Sequence, residues 1–264
     1  MSVRRERGDT RVIGAIAGDI IGSLYEQRRI KEKSFPLFDD RATFTDDTVL
    51  TVATAAAIVE GRTRSGAGAD VPTIAEYARV YKEYGRRYPD CGWGSRFAAW
   101  IASDDNSPYN SYGNGSAMRV SPVAWAFSRE EDVLEHAHRT AMVSHNHPEG
   151  IKGAQAAALA VFLARRARLG TWPDEKEPGA WNDLHRAPYG VERSPLVGSH
   201  ADRAVRFAMA REIEARFGYD LGQLVSDIRY SYEYDETCQG SVPEAIVCFL
   251  DSISYEDTIR NAVS

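Results

Sequence analysis

The chain has 264 residues, 43% of them apolar and 27% charged, enough to bury a substantial core in one large domain or two small ones. A net charge of −6, with no basic block beyond Arg4-Arg5-Glu6-Arg7, argues against a nucleic-acid partner. Cys91, Cys238 and Cys248 make neither a disulfide framework nor a zinc pattern, no apolar run can span a bilayer, and the charged N-terminus does not read as a signal peptide, so a cytoplasmic protein with no membrane partner is expected.

Residues 1–10 are polar and predicted to be flexible, with one domain over 11–264. From Val12 to Tyr25 an apolar run carries Gly14, Gly18 and Gly22 at four-residue spacing, which puts them on one helical face where another helix can come close. Each glycine costs a helix up to about 1 kcal/mol, so that packing has to offset the loss. Asp19 within the run and Glu26 just after it are the polar exceptions. A carboxylate on a small-residue face usually has a partner, and for Asp19 a bond to a helix terminus competes with a functional role.

Residues 27–43 read as a loop leading to Phe44-Thr45-Asp46-Asp47-Thr48, and the apolar run behind that acidic head predicts a helix from Asp46 to about Glu60, stopped by Gly61. Two carboxylates between two hydroxyls at a helix start can cap backbone N–H groups, which is their ordinary use, or supply hard oxygen ligands to a metal. An amphipathic helix is predicted over Thr73–Arg87, then a turn-rich break at 88–94 and a short helix over Ser95–Ala102.

The stretch from 103 to 117 is rich in Asp, Asn, Ser, Tyr and Gly and supplies little core. It is a surface loop or a binding loop, and the apolar run from Met118 to Phe127, read as a buried helix that fixes its end, favours binding. Further helices are predicted over Glu130–Val143, Ile151–Leu169, Ala201–Phe217, Gly222–Tyr230, Pro243–Leu250 and Tyr255–Val263, with a Pro/Gly/Trp-containing surface excursion at 170–199. Strand-type alternation is nearly absent, so the fold class is all-α. His136, His138, His145 and His147 form two His-x-His pairs, but positions i and i+2 of a helix face apart, which argues against zinc and for a loop histidine that orders a neighbouring site.

Together these segments resemble the ADP-ribosylglycohydrolase family. The resemblance lies in Gly14-Ala15-Ile16-Ala17-Gly18-Asp19 with Gly22 and Tyr25-Glu26, in Phe44-Thr45-Asp46-Asp47-Thr48, and in Ser111-Tyr112-Gly113-Asn114-Gly115-Ser116-Ala117-Met118-Arg119. It continues through His145-Asn146-His147-Pro148-Glu149-Gly150-Ile151-Lys152-Gly153-Ala154 and Cys238-Gln239-Gly240-Ser241-Val242-Pro243-Glu244-Ala245, so it covers nearly the whole chain. It implies a compact multi-helix bundle around a cleft and hydrolysis of the bond between ADP-ribose and a protein side chain or small conjugate. Thr45, Asp46 and Asp47 would be magnesium ligands and Glu26 the group at the scissile end. Ser111, Tyr112, Gly113, Asn114 and Gly115 would hold the diphosphate and distal ribose, with His145 nearby. An all-oxygen metal site and a nearby carboxylate suit cleavage through an oxocarbenium-like transition state.

The family also carries a second acidic metal motif, Gly-Gly-Asp-x-Asp-Thr, after a helix resembling the one that ends at Ile259-Arg260-Asn261-Ala262-Val263-Ser264, and this sequence does not include it. The expectation is therefore a domain truncated at its C-terminal end, with one magnesium ion or weak binding where the family holds two, and with reduced hydrolysis. The competing expectation is a non-catalytic ADP-ribose-binding module of the same fold.

Overall fold

The computed structural model describes residues 12–26, 28, 30–65, 72–168 and 200–264. Their helices are α1 (Ile13–Gly22), α2 (Asp46–Ser65), α3 (Ile74–Arg87), α4 (Ser95–Ala102), α5 (Gly115–Met118), α6 (Ser121–Ala126), α7 (Glu130–Met142), α8 (Pro148–Arg168), α9 (His200–Phe217), α10 (Val225–Ser231), α11 (Cys238–Leu250) and α12 (Tyr255–Val263). Among the described residues no strand forms, and extended pairing is confined to an isolated antiparallel bridge between Gly113 and Thr237. The fold is all-α. No described helix is long and apolar enough to cross a membrane. The predicted flexible N-terminus at 1–10 and the excursion at 170–199 lie outside the described residues.

Helix α8 is the hub. Gly150, Gly153, Ala154, Ala156, Ala158, Leu159, Ala160, Phe162 and Leu163 bury more than one side of it, as expected of a helix with neighbours all round. Helices α5, α6, α7, α9 and α11 pack against it, and its small residues let them approach closely. Helix α2 packs on α1, α3 and α6. The capping box on α3, in which Thr73 and Glu76 each take the other's backbone N–H, starts that helix where the sequence predicts.

Several boundaries differ from the sequence reading for identifiable reasons. Helix α2 does not stop at Gly61 but continues to Ser65, because Gly61 is buried and Arg62 anchors the extra turn by donating to the Ala126 carbonyl at 2.8 Å. The predicted Met118–Phe127 helix is broken into α5 and α6, since Pro122 at the start of α6 cannot continue the ladder from α5. Helix α11 begins at Cys238 rather than Pro243; the Thr237 hydroxyl caps it by accepting the Gly240 N–H at 3.1 Å, and Pro243 sits inside the helix.

The glycine face of α1 meets α12. A Cβ on Gly14 would stand 3.5 Å from the Tyr255 ring and one on Gly18 3.4 Å from Ile259, while Gly22 has open space. The contact is fastened by the Tyr255 hydroxyl, which donates to the Gly14 carbonyl at 2.6 Å. Arg260 donates to the carbonyls of Lys33 and Phe35 at 2.7 and 2.8 Å.

Candidate active site

Helix α2 begins against α1, and Asp19 caps it. One Asp19 oxygen accepts the Thr45 N–H at 2.8 Å, the Thr48 N–H at 3.1 Å and the Thr48 hydroxyl at 2.5 Å, and the other accepts the Thr45 hydroxyl at 2.5 Å. The Asp46 N–H donates to the Cys91 carbonyl at 2.9 Å and the Asp47 N–H to the Thr45 hydroxyl at 3.4 Å. The first-turn donors that would otherwise need capping are thus met mostly from outside the tetrapeptide. The capping of Thr45 and Thr48 therefore falls to Asp19 rather than to the Asp46 and Asp47 carboxylates.

Their electrostatics show the consequence. Burial, then Asp47, pushes the Asp46 carboxyl up to about 7, and burial, then Asp19 and Glu26, does the same to Asp47. Glu26 is raised as well, by loss of solvent and by Asp19. Every charge that shifts these three groups is another carboxylate. The Cys91 thiol is raised by burial and by Asp46, which places it beside the same cluster.

Glu26 stands on the rim of a cavity of about 220 Å³ that Tyr25, Arg28, Lys31, Tyr232 and Tyr234 also line. Tyr234 was not singled out in the sequence. Its phenol is raised by burial and then by Glu236, Glu26 and Asp47, so it lies between the acidic head and the glycine-rich loop. The segment after it forms a strap: the Glu236 carbonyl accepts the Asn114 N–H at 2.7 Å, Gly113 bridges Thr237, and the Cys238 N–H donates to the Tyr112 carbonyl at 2.9 Å. The quoted Cys238-Gln239-Gly240 motif marks the end of this strap, but no signal marked Tyr234.

The loop from Ser111 to Gly115 is held on both sides. Its Ser111 N–H donates to the Ser144 carbonyl at 3.3 Å, its Gly113 N–H to the Ser111 hydroxyl at 3.2 Å, and Asn114 Nδ2 to Ser241 Oγ at 3.2 Å. Tyr112 is half exposed and packs edge-on against His147, with ring centroids 5.3 Å apart. His145 is buried below the turn: a Cβ on Gly115 would stand 3.0 Å from His145 Nε2 and one on Gly113 3.7 Å. Helix α5, which follows the loop, reaches α2 through Thr51, whose hydroxyl donates to the Met118 carbonyl at 3.4 Å. The acidic head and the loop are therefore parts of one connected framework. His136, in contrast, stacks on Phe127 at 4.0 Å in the core.

The donor set near the acidic head fits a hard divalent ion in its chemistry. It is all oxygen, its carboxylates are uncompensated by a cation, and the Thr45 hydroxyl gives its proton to Asp19 and so keeps a lone pair for a ligand. The number of protein ligands is low. Among the described residues no three His, Cys, Asp or Glu side chains stand at metal-holding spacing, so Asp46, Asp47 and Thr45 would depend on water to complete a shell.

Comparisons with known proteins agree with this architecture. The chain is 28% identical to human ADP-ribosylhydrolase ARH3 over 307 aligned positions, covering 99% of this chain and 77% of the human protein. It is 29% identical to the Xenopus tropicalis ADP-ribosylhydrolase ARH3 over 193 positions, which take in 63% of this chain and only 52% of the frog protein. A solved structure described as an ADP-ribosylglycohydrolase-related protein complex superposes with a TM-score of 0.56 at 20% identity, over 96% of this chain and 78% of that one, and so shares its fold. The model of the family described as ADP-ribosylglycohydrolase matches residues 2–264, and the chain belongs to that family.

Proposed function

We propose that this protein is a magnesium-dependent hydrolase that cleaves the N- or O-glycosidic bond between ADP-ribose and a protein side chain or small conjugate. The observation that carries the reading is the cluster of Asp46, Asp47 and Glu26, whose proton affinities are raised by burial and then by neighbouring carboxylates, with the 234–238 strap bound to the loop at Ser111–Gly115 beside it. Thr45, Asp46 and Asp47 would hold one magnesium ion, or hold it weakly, since three side chains fall short of the six oxygens such an ion prefers. When bound, the ion supplies Lewis-acid stabilisation and fixes ribose hydroxyls.

The remaining chemistry belongs to the chain. Glu26, with its basicity raised, takes the proton from the attacking water. Ser111, Tyr112, Gly113, Asn114 and Gly115 hold the diphosphate and distal ribose, and His145 borders them. A diphosphate held by hydroxyls, amides and a neutral ring needs no bulk positive charge, in keeping with the acidic composition. Three free thiols, Cys91, Cys238 and Cys248, support a cytoplasmic setting.

One observation favours a second reading, an ADP-ribose-binding module without turnover: the small number of protein ligands at the acidic head. Incubation with ADP-ribosylated arginine and serine peptides plus magnesium separates the two. Release of ADP-ribose, abolished in Asp46→Ala with the helical circular-dichroism spectrum retained, is the expected result. No release, combined with calorimetric binding of free ADP-ribose, would replace it with the module.

A further inference from the structure

Arg119 lies just beyond the glycine-rich loop, between α5 and α6, and is wholly buried. Its guanidinium sits over the faces of Tyr81 and Phe97, 4.6 and 5.9 Å from the centroids. No carboxylate is among the groups that influence it, and its Nε and Nη1 have no hydrogen-bond partner. A buried cation without a counter-charge is destabilising, and an apolar side chain of similar volume would serve the core better. What Arg119 does make is a pair of bonds from Nη2, to the Thr140 carbonyl at 2.7 Å and to Ser144 Oγ at 3.0 Å. Ser144 Oγ in turn lies 2.8 Å from His145 Nδ1.

The direction of these bonds follows from the donor inventory. A guanidinium only donates, so Ser144 accepts from Arg119. An oxygen that already accepts from a charged N–H is a poorer acceptor and a stronger donor, which leaves the serine proton for Nδ1. His145 is kept neutral, its pKa well below the ordinary histidine value through burial, then Arg119 and Arg96. A neutral imidazole has one N–H, and with Nδ1 accepting, that N–H is on Nε2. Nε2 is the ring atom next to Gly113 and Gly115 and has no partner among the described residues.

We propose that Arg119 and Ser144 are positioning residues that lock His145 as its Nε2–H tautomer, aiming its single ring donor at the Gly113–Gly115 turn and at a phosphate oxygen of the ligand held there. The proposal deepens the function given above and takes the identity of that ligand from it.

The test uses the full chain labelled with 15N-histidine, with His145 signals identified by their loss in His145→Gln. Long-range proton–nitrogen spectra at neutral pH are expected to show a protonated Nε2 and an unprotonated Nδ1. Ser144→Ala and Arg119→Met should each move His145 toward a mixture of tautomers and weaken ADP-ribose binding about tenfold, the loss of one good hydrogen bond. Ser144→Ala removes a single oxygen and carries the test if Arg119→Met fails to fold. A protonated Nδ1 in the wild type, a tautomer unchanged in Ser144→Ala, or unweakened ADP-ribose binding once the tautomer has shifted would each overturn the proposal. A wild type that binds no ADP-ribose yet shows the Nε2–H form, lost in Ser144→Ala, would sink the function proposed above and support the lock.

Discussion

The acidic pair at Asp46 and Asp47 couples stability to pH with a definite sign. In the unfolded chain these carboxyls ionise near their ordinary value of 3.8, whereas in the folded protein they hold their protons up to about 7. The folded state therefore binds more protons, so the stability they contribute is fully present below about pH 4 and is lost as pH rises through about 7. In EDTA, the Tm of the wild type is expected to fall between pH 5 and pH 8. Asp47→Asn should flatten that slope and raise Tm at pH 8, by about 2–4 °C for each kcal/mol of repulsion relieved. Scanning both proteins with and without magnesium checks this; identical slopes in EDTA would mean that the carboxylates are neutralised some other way.

At the scale of elements, the site depends on one close approach. A Cβ at Gly150 would meet the His145 carbonyl at 2.6 Å and the Ser111 carbonyl at 2.7 Å, both backbone atoms that cannot swing aside. Gly150→Ala should thus cost about 1–3 kcal/mol or more by overpacking and displace the Ser111 loop from α8. Thermal unfolding and ADP-ribose titration are expected to show both losses together. That glycine belonged to a motif visible in the sequence, as did the acidic head, the Ser111–Gly115 loop and His145, because each is a local run of distinctive residue types. The bond from Asp19 to a helix terminus was one of two roles the sequence left open, but which helix it caps, and the parts played by Tyr234 and Ser144, arise from chain segments that only tertiary folding brings together. The same limit explains one helix boundary, since Gly61 reads as a stop until the anchor from Arg62 to Ala126 is known, whereas the break within Met118–Phe127 was legible in Pro122.

Across the whole molecule, α12 supports α1, and α1 supplies the Asp19 cap on α2. A Cβ at Gly18 would already be in contact with Ile259 and Tyr255, so a branched side chain there would push on both. Gly18→Val is expected to lower Tm and also weaken magnesium binding several-fold by calorimetry, because tilting α1 moves the Asp19 carboxylate that orients the Thr45 hydroxyl. A loss of Tm with unchanged magnesium affinity would uncouple the two helices from the site.

The α1–α12 contact joins positions 241 residues apart, from Tyr255 to Gly14. At about 5–20 residues per second, the ribosome delivers the second partner roughly 12–48 s after the first. Throughout that interval α2 can pack on α1, but the glycine face that α12 covers stays open. The candidate site is thus braced from behind only late in biosynthesis, once the last helix has emerged.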